Sequence, residues 1–320
     1  MADLGAQKIQ LPLLCPQTLW ERTGRYKEMG AELYKLMDRH EEHLLLSPTF
    51  EEADAYSFDS DSSSAGSTYQ AFLQAYQSLF QNLGLEPSLV EADSGAMGGS
   101  LSHEFHLPSS AGQDALISCT QCAHIALASS TQSAGACGKC GSGEVVHTET
   151  VEVAHCFLLG DKYSRAFGLR TSAALEPFVQ MGCYGIGLSR LISACVDLLA
   201  EEEEIVWPDA LSPYRVLVIG PKAGSKEAGK AGLSMEELAD TIAGFQPGFA
   251  QEVLLDDRSR SVGRRLLEGR RRGFPIILLG NKSLCEPRPL IEVHLPALPQ
   301  PLRLSHSATC QLLRQHCCPS

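Results

Sequence analysis

The spacing of apolar residues predicts helices and strands along most of the chain. Between positions 68 and 83, apolar residues recur every three or four places and Gly84 follows, which is typical of an amphipathic helix that packs on a core. Its predicted apolar face contains Phe72, Leu73, Tyr76, Leu79, Phe80 and Leu83. The preceding segment, 59–66, is rich in serine and aspartate and predicts a solvated loop.

The C-terminal third alternates short apolar runs with amphipathic segments. Predicted strands occupy 215–219, 252–256 and 275–280, and predicted helices occupy 235–245 and 262–272. This alternation indicates a small α/β domain with a parallel or mixed sheet. Pro208 and Pro213 flank the predicted hinge that leads into it.

Composition limits the class of protein. A chain of 320 residues with 44% apolar content can form one large core and a smaller one, which predicts two or three compact units. The net charge is -12, but acidic residues concentrate at 51–61 and 201–204 while arginines concentrate at 258–272. No apolar run is long enough to span a membrane, so no membrane partner is expected. No signal peptide or Arg-rich presequence is visible in residues 1–10.

Four of the twelve cysteines have the spacing of a metal site. Cys119 and Cys122 form one Cys-x-x-Cys pair, and Cys137 and Cys140 form a second. Two such pairs supply the four thiolates that structural Zn²⁺ takes. A redox pair or four ordinary buried cysteines are the alternatives, and the nearby histidines are interpreted as bystanders.

The segment 181–190, Met-Gly-Cys-Tyr-Gly-Ile-Gly-Leu-Ser-Arg, is the most informative local pattern. It predicts a strand that turns at glycine into a helix, because the apolar run 191–199 follows. Arg190 at the start of that helix can hold phosphate. A turn with ordinary packing is the alternative interpretation.

This segment resembles the third signature motif of class II aminoacyl-tRNA synthetases, in the form found in prolyl-tRNA synthetases. Further segments resemble the same family in the same order. Residues 11–26 resemble the first motif, which in relatives forms the dimer interface, and residues 46–52 resemble the proline-pocket strand. Residues 98–105 and 153–164 resemble active-site strands, and 253–275 resembles the anticodon-binding domain.

The resemblance implies an α+β catalytic unit with an antiparallel sheet, and a ligase reaction. Proline reacts with ATP, in the presence of Mg²⁺, to give prolyl-adenylate, and the prolyl group then passes to tRNA(Pro). The implied substrate-binding residues are Thr49, Glu51, His103, Cys183 and Gly185. Arg190 is the implied catalytic residue and binds ATP together with Gly187. The resemblance also implies a homodimer in the mitochondrial matrix, with the cytoplasm as the alternative because no presequence is visible.

One departure from the family pattern concerns the second class II motif. Residues 49–52 run directly into Asp54-Ala55-Tyr56-Ser57-Phe58, whereas relatives have several dozen residues between the two strands. The motif's ATP-binding arginine therefore has no counterpart here. The chain is interpreted as a shortened synthetase with impaired activity, and a non-catalytic tRNA-binding or regulatory relative is the alternative.

The basic segment near the C-terminus predicts the contact with tRNA. A solvated helix face is the alternative interpretation, but the concentration of arginines in an acidic protein favours contact with phosphates. These arginines are Arg264, Arg265, Arg270, Arg271 and Arg272. The predicted domains are the two parts of the catalytic core, 1–112 and 144–207, a zinc-ribbon-like insert at 113–143, and an anticodon-binding domain at 208–320.

Overall fold

A computed structural model describes residues 1–46, 53–130, 136–141, 144–172, 176–201, 204–296 and 298–317. The chain forms two units, Met1–Ala194 and Cys195–Ser320. Their boundary falls inside a helix and not at position 207, and the four-part division remains a prediction. Among the described residues, none of the helices combines the length and apolar character needed to cross a membrane.

The described part of the first unit has two antiparallel sheets. A three-stranded sheet has the order β1-β3-β2, and a seven-stranded sheet has the path β4-β10-β9-β6-β5, with β7 paired to β9 and β8 paired to β7. The strands are β1 (Leu14–Pro16), β2 (Tyr34–Met37), β3 (His43–Leu46), β4 (Ala53–Asp59), β5 (Ser88–Glu91), β6 (Leu101–Pro108), β7 (Asp114–Cys119), β8 (Ile125–Leu127), β9 (Val145–Gly160) and β10 (Gln180–Ile186). The helices are α1 (Gln17–Arg22), α2 (Arg25–Met29), α3 (Ser62–Asn82), α4 (Lys162–Phe167) and α5 (Leu188–Leu199), which runs into the second unit.

The long strand β9 holds the larger sheet together. Its first six residues pair with β7, and six of its last seven residues pair with β10, while β6 runs along its other edge. The cysteine-rich segment therefore continues the larger sheet through β7 and β8. These findings confirm the predicted antiparallel sheet with helices.

The helix α3 covers one face of this sheet, but it begins earlier than the sequence predicts. Asp61 is its N-cap and accepts a hydrogen bond from the Ser64 N–H at 2.9 Å. This cap satisfies one of the free N–H groups at the helix start, so 62–66 is helical and the predicted loop is wrong there. The buried face is close to the predicted one, except that Leu79 is exposed.

The described second unit is a mixed α/β layer structure. The sheet order is β12-β11-β13-β14-β15, with the first three strands parallel and the last two antiparallel. Its strands are β11 (Val216–Ile219), β12 (Val253–Asp256), β13 (Ile276–Leu279), β14 (Ile291–His294) and β15 (Leu302–Leu304). Its helices are α6 (Met235–Ala243), α7 (Val262–Arg271) and α8 (His306–Cys317). The predicted mixed sheet is confirmed, and β14, β15 and α8 are additions.

The helix α7 holds most of the predicted tRNA-binding arginines, and the structure corrects the prediction for one of them, Arg265. Arg265 is only 2% exposed, and it donates to the Asp256 carbonyl at 2.5 Å and to the Gly220 carbonyl at 2.7 Å. It therefore joins the carboxyl ends of two parallel strands and does not face solvent. Gly269 lets the helix approach the sheet, since a Cβ there would lie 2.6 Å from the Leu217 Cδ2 atom.

Replacing Arg265 with Met should destabilise the second unit by about 3 kcal/mol, because two buried carbonyls lose a charged donor. Arg264→Met is the control, because Arg264 is exposed and its surface ion pair with Glu268 should contribute less than about 1 kcal/mol. Urea unfolding followed by Trp207 fluorescence, in a Trp20→Phe background, measures the difference. Equal small losses in both variants would contradict a structural role for Arg265.

Candidate active site

The candidate site is centred on β10, the middle strand between β4 and β9. The buried Cys183 pairs directly with Tyr56 on one side and with Phe157 on the other. Gly187 ends the strand, donating to the Val153 carbonyl at 3.0 Å, and α5 begins at the next residue. The predicted strand, glycine turn and helix are therefore present in this order.

The register of the sheet decides which side chains can meet Cys183. Ser102 pairs with Phe157, which pairs with Cys183, so these three side chains share one face. His103 is the next residue and lies on the opposite face, where its Nδ1 atom is 2.8 Å from the Tyr69 hydroxyl of α3. The structure therefore corrects the expectation that His103 closes the pocket around Cys183.

His155 is the histidine on the Cys183 face, and sequence reasoning did not identify it. Its ring stacks on Phe157 with centroids 3.7 Å apart, and its Nε2 atom is 2.6 Å from the Ser102 hydroxyl. Its Nδ1 atom is 3.2 Å from Glu152 and 3.6 Å from Glu104. The available signal was strand alternation, because His155 and Phe157 are two residues apart.

Arg190 is tied to the same cluster through Glu152. Its Nη1 atom donates to the Glu152 backbone carbonyl at 3.3 Å and lies 3.7 Å from the Glu152 carboxylate. Burial raises the pKa of Glu152, but the His155 hydrogen bond and the charges of His155 and Arg190 outweigh it and hold that pKa below its usual value. The Arg190 side chain is 57% exposed, so a bound anion can reach its guanidinium.

Two other predicted pocket residues, Thr49 and Glu51, lie outside the described residues. Gly185 lies on the Cys183 face of β10, where it pairs with Asp54 and His155. The structure therefore brings together Cys183, Gly185 and Arg190 from the predicted set.

The four predicted zinc ligands converge on one point. Their Sγ atoms lie within 4.8 Å of one another, with Cys119 3.8 Å from Cys140 and Cys122 3.6 Å from Cys137. Tetrahedral zinc with Zn–S bonds of about 2.3 Å separates its sulfurs by about 3.8 Å, so the donor set fits this metal. Backbone N–H groups, one of them from Gln121 at 3.4 Å, lower the pKa of the Cys119 thiol.

The remaining predicted tRNA-binding arginines lie on the outer side of α7 and at its end. Arg264, Arg270, Arg271 and Arg272 are exposed. Glu268 offsets part of this charge, because its carboxylate pairs with Arg258, Arg260 and Arg264.

Comparisons with known proteins place this fold and site in a class. Residues 34–198 match the family model of the class II tRNA synthetase core domain (G, H, P, S and T). The Giardia lamblia prolyl-tRNA synthetase in complex with prolyl-adenylate has a similar fold, with a TM-score of 0.69 at 16% identity. That similarity covers 97% of this chain and 65% of the Giardia chain, just under two thirds of its length. The fold and the strand-turn-helix site thus define a class II aminoacyl-tRNA synthetase core.

Sequence relatives identify the family of this chain within that class. The probable mitochondrial proline--tRNA ligase of Rattus norvegicus is 36% identical over 338 residues, covering 89% of this chain and 70% of the relative. The proline--tRNA ligase of Ehrlichia chaffeensis is 29% identical over 355 residues, covering 92% of this chain and 81% of the relative. The chain therefore belongs to the proline--tRNA ligase family, as its third motif predicts.

The alignment with the rat relative also bears on the missing segment. It extends over 338 positions, whereas 89% of 320 residues is about 285, so about fifty positions of the relative have no counterpart here. An internal gap of this size agrees with a missing second motif. Its location before Asp54 remains a prediction.

The placement of His103 predicts how the first unit responds to acid. Burial lowers the pKa of His103 below 6.5, and the nearby Glu91 carboxylate only partly opposes this. Below about pH 6.5, His103 binds a proton more readily in the unfolded chain than in the folded chain. The free energy of unfolding should therefore fall as the pH drops. His103→Gln should reduce this decline between pH 7 and 5.

Urea unfolding at several pH values measures the effect, with Trp20 fluorescence recorded in a Trp207→Phe background. His147→Gln, an exposed position on β9, is the control and should leave the decline unchanged. An unchanged decline in the His103 variant would show that this histidine is not held against α3 in the neutral form.

Proposed function

We propose that this chain is a shortened prolyl-tRNA synthetase that binds proline and ATP on the Cys183 face of its sheet. The observation that carries the proposal is the arrangement of Cys183, Gly187 and Arg190 on one continuous strand, turn and helix, within a chain of the proline--tRNA ligase family. Cys183 lines the compact pocket for the imino acid, with Thr49 and Glu51 proposed to bind its ammonium group.

The reaction needs no protein nucleophile. The proline carboxylate attacks the α-phosphorus of ATP, and pyrophosphate leaves as prolyl-adenylate forms. A hydroxyl of the terminal ribose of tRNA then takes the prolyl group and releases AMP. Arg190, reachable from solvent and oriented by Glu152, holds the triphosphate tail. Glu104 and Glu152 offer oxygen ligands of the kind that the Mg²⁺ of ATP accepts.

The activity of this chain should nevertheless be weak. The resemblance implies that an arginine of the second motif binds the α-phosphate, and this chain has no counterpart to it. Among the described strands, only β10 pairs with β4, so the sheet has an open edge on that side. A preorganised charge partner is typically worth a factor of about 100 to 1,000 in rate. Impaired activation follows from its loss.

The second unit is proposed to bind tRNA(Pro) through Arg264, Arg270, Arg271 and Arg272. Each phosphate that they neutralise should add salt-sensitive affinity. A non-catalytic tRNA-binding or regulatory role is the alternative function, and it is favoured by the missing motif together with this intact basic surface. A mitochondrial location is proposed from the relatives, which include the probable mitochondrial proline--tRNA ligases of rat, mouse and human. A homodimer is proposed from the resemblance of residues 11–26 to the first class II motif.

Proline-dependent ATP–pyrophosphate exchange tests the catalytic proposal. The chain as it stands should exchange at least about 100-fold more slowly than a version in which the missing segment of a close relative is inserted before Asp54. In the restored chain, Arg190→Ala should remove exchange, whereas Arg165→Ala, an exposed arginine of α4, should not. Fast exchange by the unmodified chain would refute the impaired form, and a restored chain that binds tRNA without exchange would favour the non-catalytic role.

The cysteine cluster is proposed to hold one structural zinc ion. The purified chain should contain about one zinc per molecule, and Cys119→Ser should lose most of it because one of four thiolates is removed. Cys285→Ser, an exposed cysteine of the second unit, is the matched control. Elemental analysis with thiol titration measures both. Absence of zinc, with all four thiols free to react, would contradict the proposal.

A further inference from the structure

A cavity of about 310 Å³ lies on the Cys183 face of the larger sheet. Its walls are largely aromatic and aliphatic, and they come from several separate elements. The main wall residues are Tyr56 and Phe58 of β4, Met181 of β10, Tyr163 and Phe167 of α4, and Met97. Such a surface suits a small apolar ring or chain.

Arg25 contributes the positive charge of this cavity. It is the first residue of α2, and its guanidinium lies over the Trp20 ring, 4.3 Å from the ring centroid. One guanidinium nitrogen contacts the Met29 sulfur at 3.6 Å, which is a weak acceptor.

The guanidinium lacks a charged partner within the described residues. Its buried Nε atom has no hydrogen-bond acceptor there, and no described carboxylate lies within 4.0 Å of it. A half-buried cation with no charged partner among the described residues is costly, whereas a bound anion would satisfy it. The unpaired donor beside an apolar cavity therefore points to a ligand with one anionic group.

Two tyrosines line the cavity together with Arg25, on the side near Cys183. Tyr163 donates to the Met97 carbonyl at 2.8 Å and lines the same cavity as Arg25. Tyr56 also lines the cavity, and it is the cross-strand neighbour of Cys183 on β4. Burial raises the pKa of both tyrosines, so both stay protonated near neutral pH. Cys183 belongs to the buried cluster against which Met97, Tyr163 and Met181 of the cavity wall pack, so the cavity that Arg25 lines adjoins Cys183.

We propose that Arg25 binds the carboxylate of a small ligand whose apolar part packs in this cavity. A guanidinium presents several N–H donors in one plane, which matches a carboxylate. The identity of the ligand rests on the proposed function, which makes it proline, with its ring packed between Tyr56 and Met181. Arg25 is then a binding residue for the reacting carboxylate, in a chain without the second-motif arginine.

The test compares each carboxylate with the matching alcohol, which lacks the charge. Calorimetry on the full chain measures the dissociation constants of proline and prolinol, and of cyclopentanecarboxylate and cyclopentylmethanol. The carboxylate should bind at least about tenfold more tightly in each pair, and Arg25→Met should abolish that preference. Arg25→Lys should keep part of it. Lys27→Met removes an exposed charge from the same helix and should leave the preference intact.

The preference is a ratio within each variant, so a change in the folded fraction affects both ligands and cancels. An Arg25→Met variant that keeps the preference, or a parent chain that shows none in either pair, would overturn the proposal. A third result is a preference for cyclopentanecarboxylate over cyclopentylmethanol that depends on Arg25, while proline binds no better than cyclopentanecarboxylate. That result would support the carboxylate site and contradict proline as its ligand.

Discussion

The pairing of β10 with β9 is the constraint on which the candidate site depends. It places Cys183 beside Phe157, and the pairing of β9 with β6 adds Ser102 to the same face. Because strand side chains alternate, a slip of one residue would turn Cys183 towards α3. Tyr184 opposes such a slip, since its ring stacks on Phe72 of α3 with centroids 3.7 Å apart. The packing of the helix therefore fixes the face of the sheet on which Cys183 lies.

Local patterns predict the elements well, because apolar spacing reflects burial directly. The α3 helix, the turn into α5 and the parallel strands of the second unit are all visible in the sequence. The face of a strand is harder to predict, because alternation fixes relative faces within one strand but not the register between neighbouring strands. His103 and His155 illustrate the consequence: both lie in family-like segments, but only the register tells which one shares a face with Cys183.

Arginine is the residue type for which sequence reasoning is least decisive. Arg264 and Arg265 are neighbours in one basic run, but α7 turns the first towards solvent and the second into the sheet. A helix advances about 100° per residue, so adjacent charges necessarily differ in environment. Arg25 shows the opposite case, since nothing in its segment indicates that its guanidinium borders a cavity.

In the proposed shortened form, the loss of the second motif removes a catalytic charge but leaves the framework of the site in place. The β4–β10–β9 pairing persists without it, because each strand finds backbone partners from the others. The positive charge at the α-phosphate is not retained in this way. A cation stabilises the transition state only from its own position, and the arginines held elsewhere in the fold cannot move to replace it. Fold similarity to synthetases therefore says little about turnover by this chain. The rate of proline activation on this framework depends on the arginines that contact the carboxylate and the phosphates.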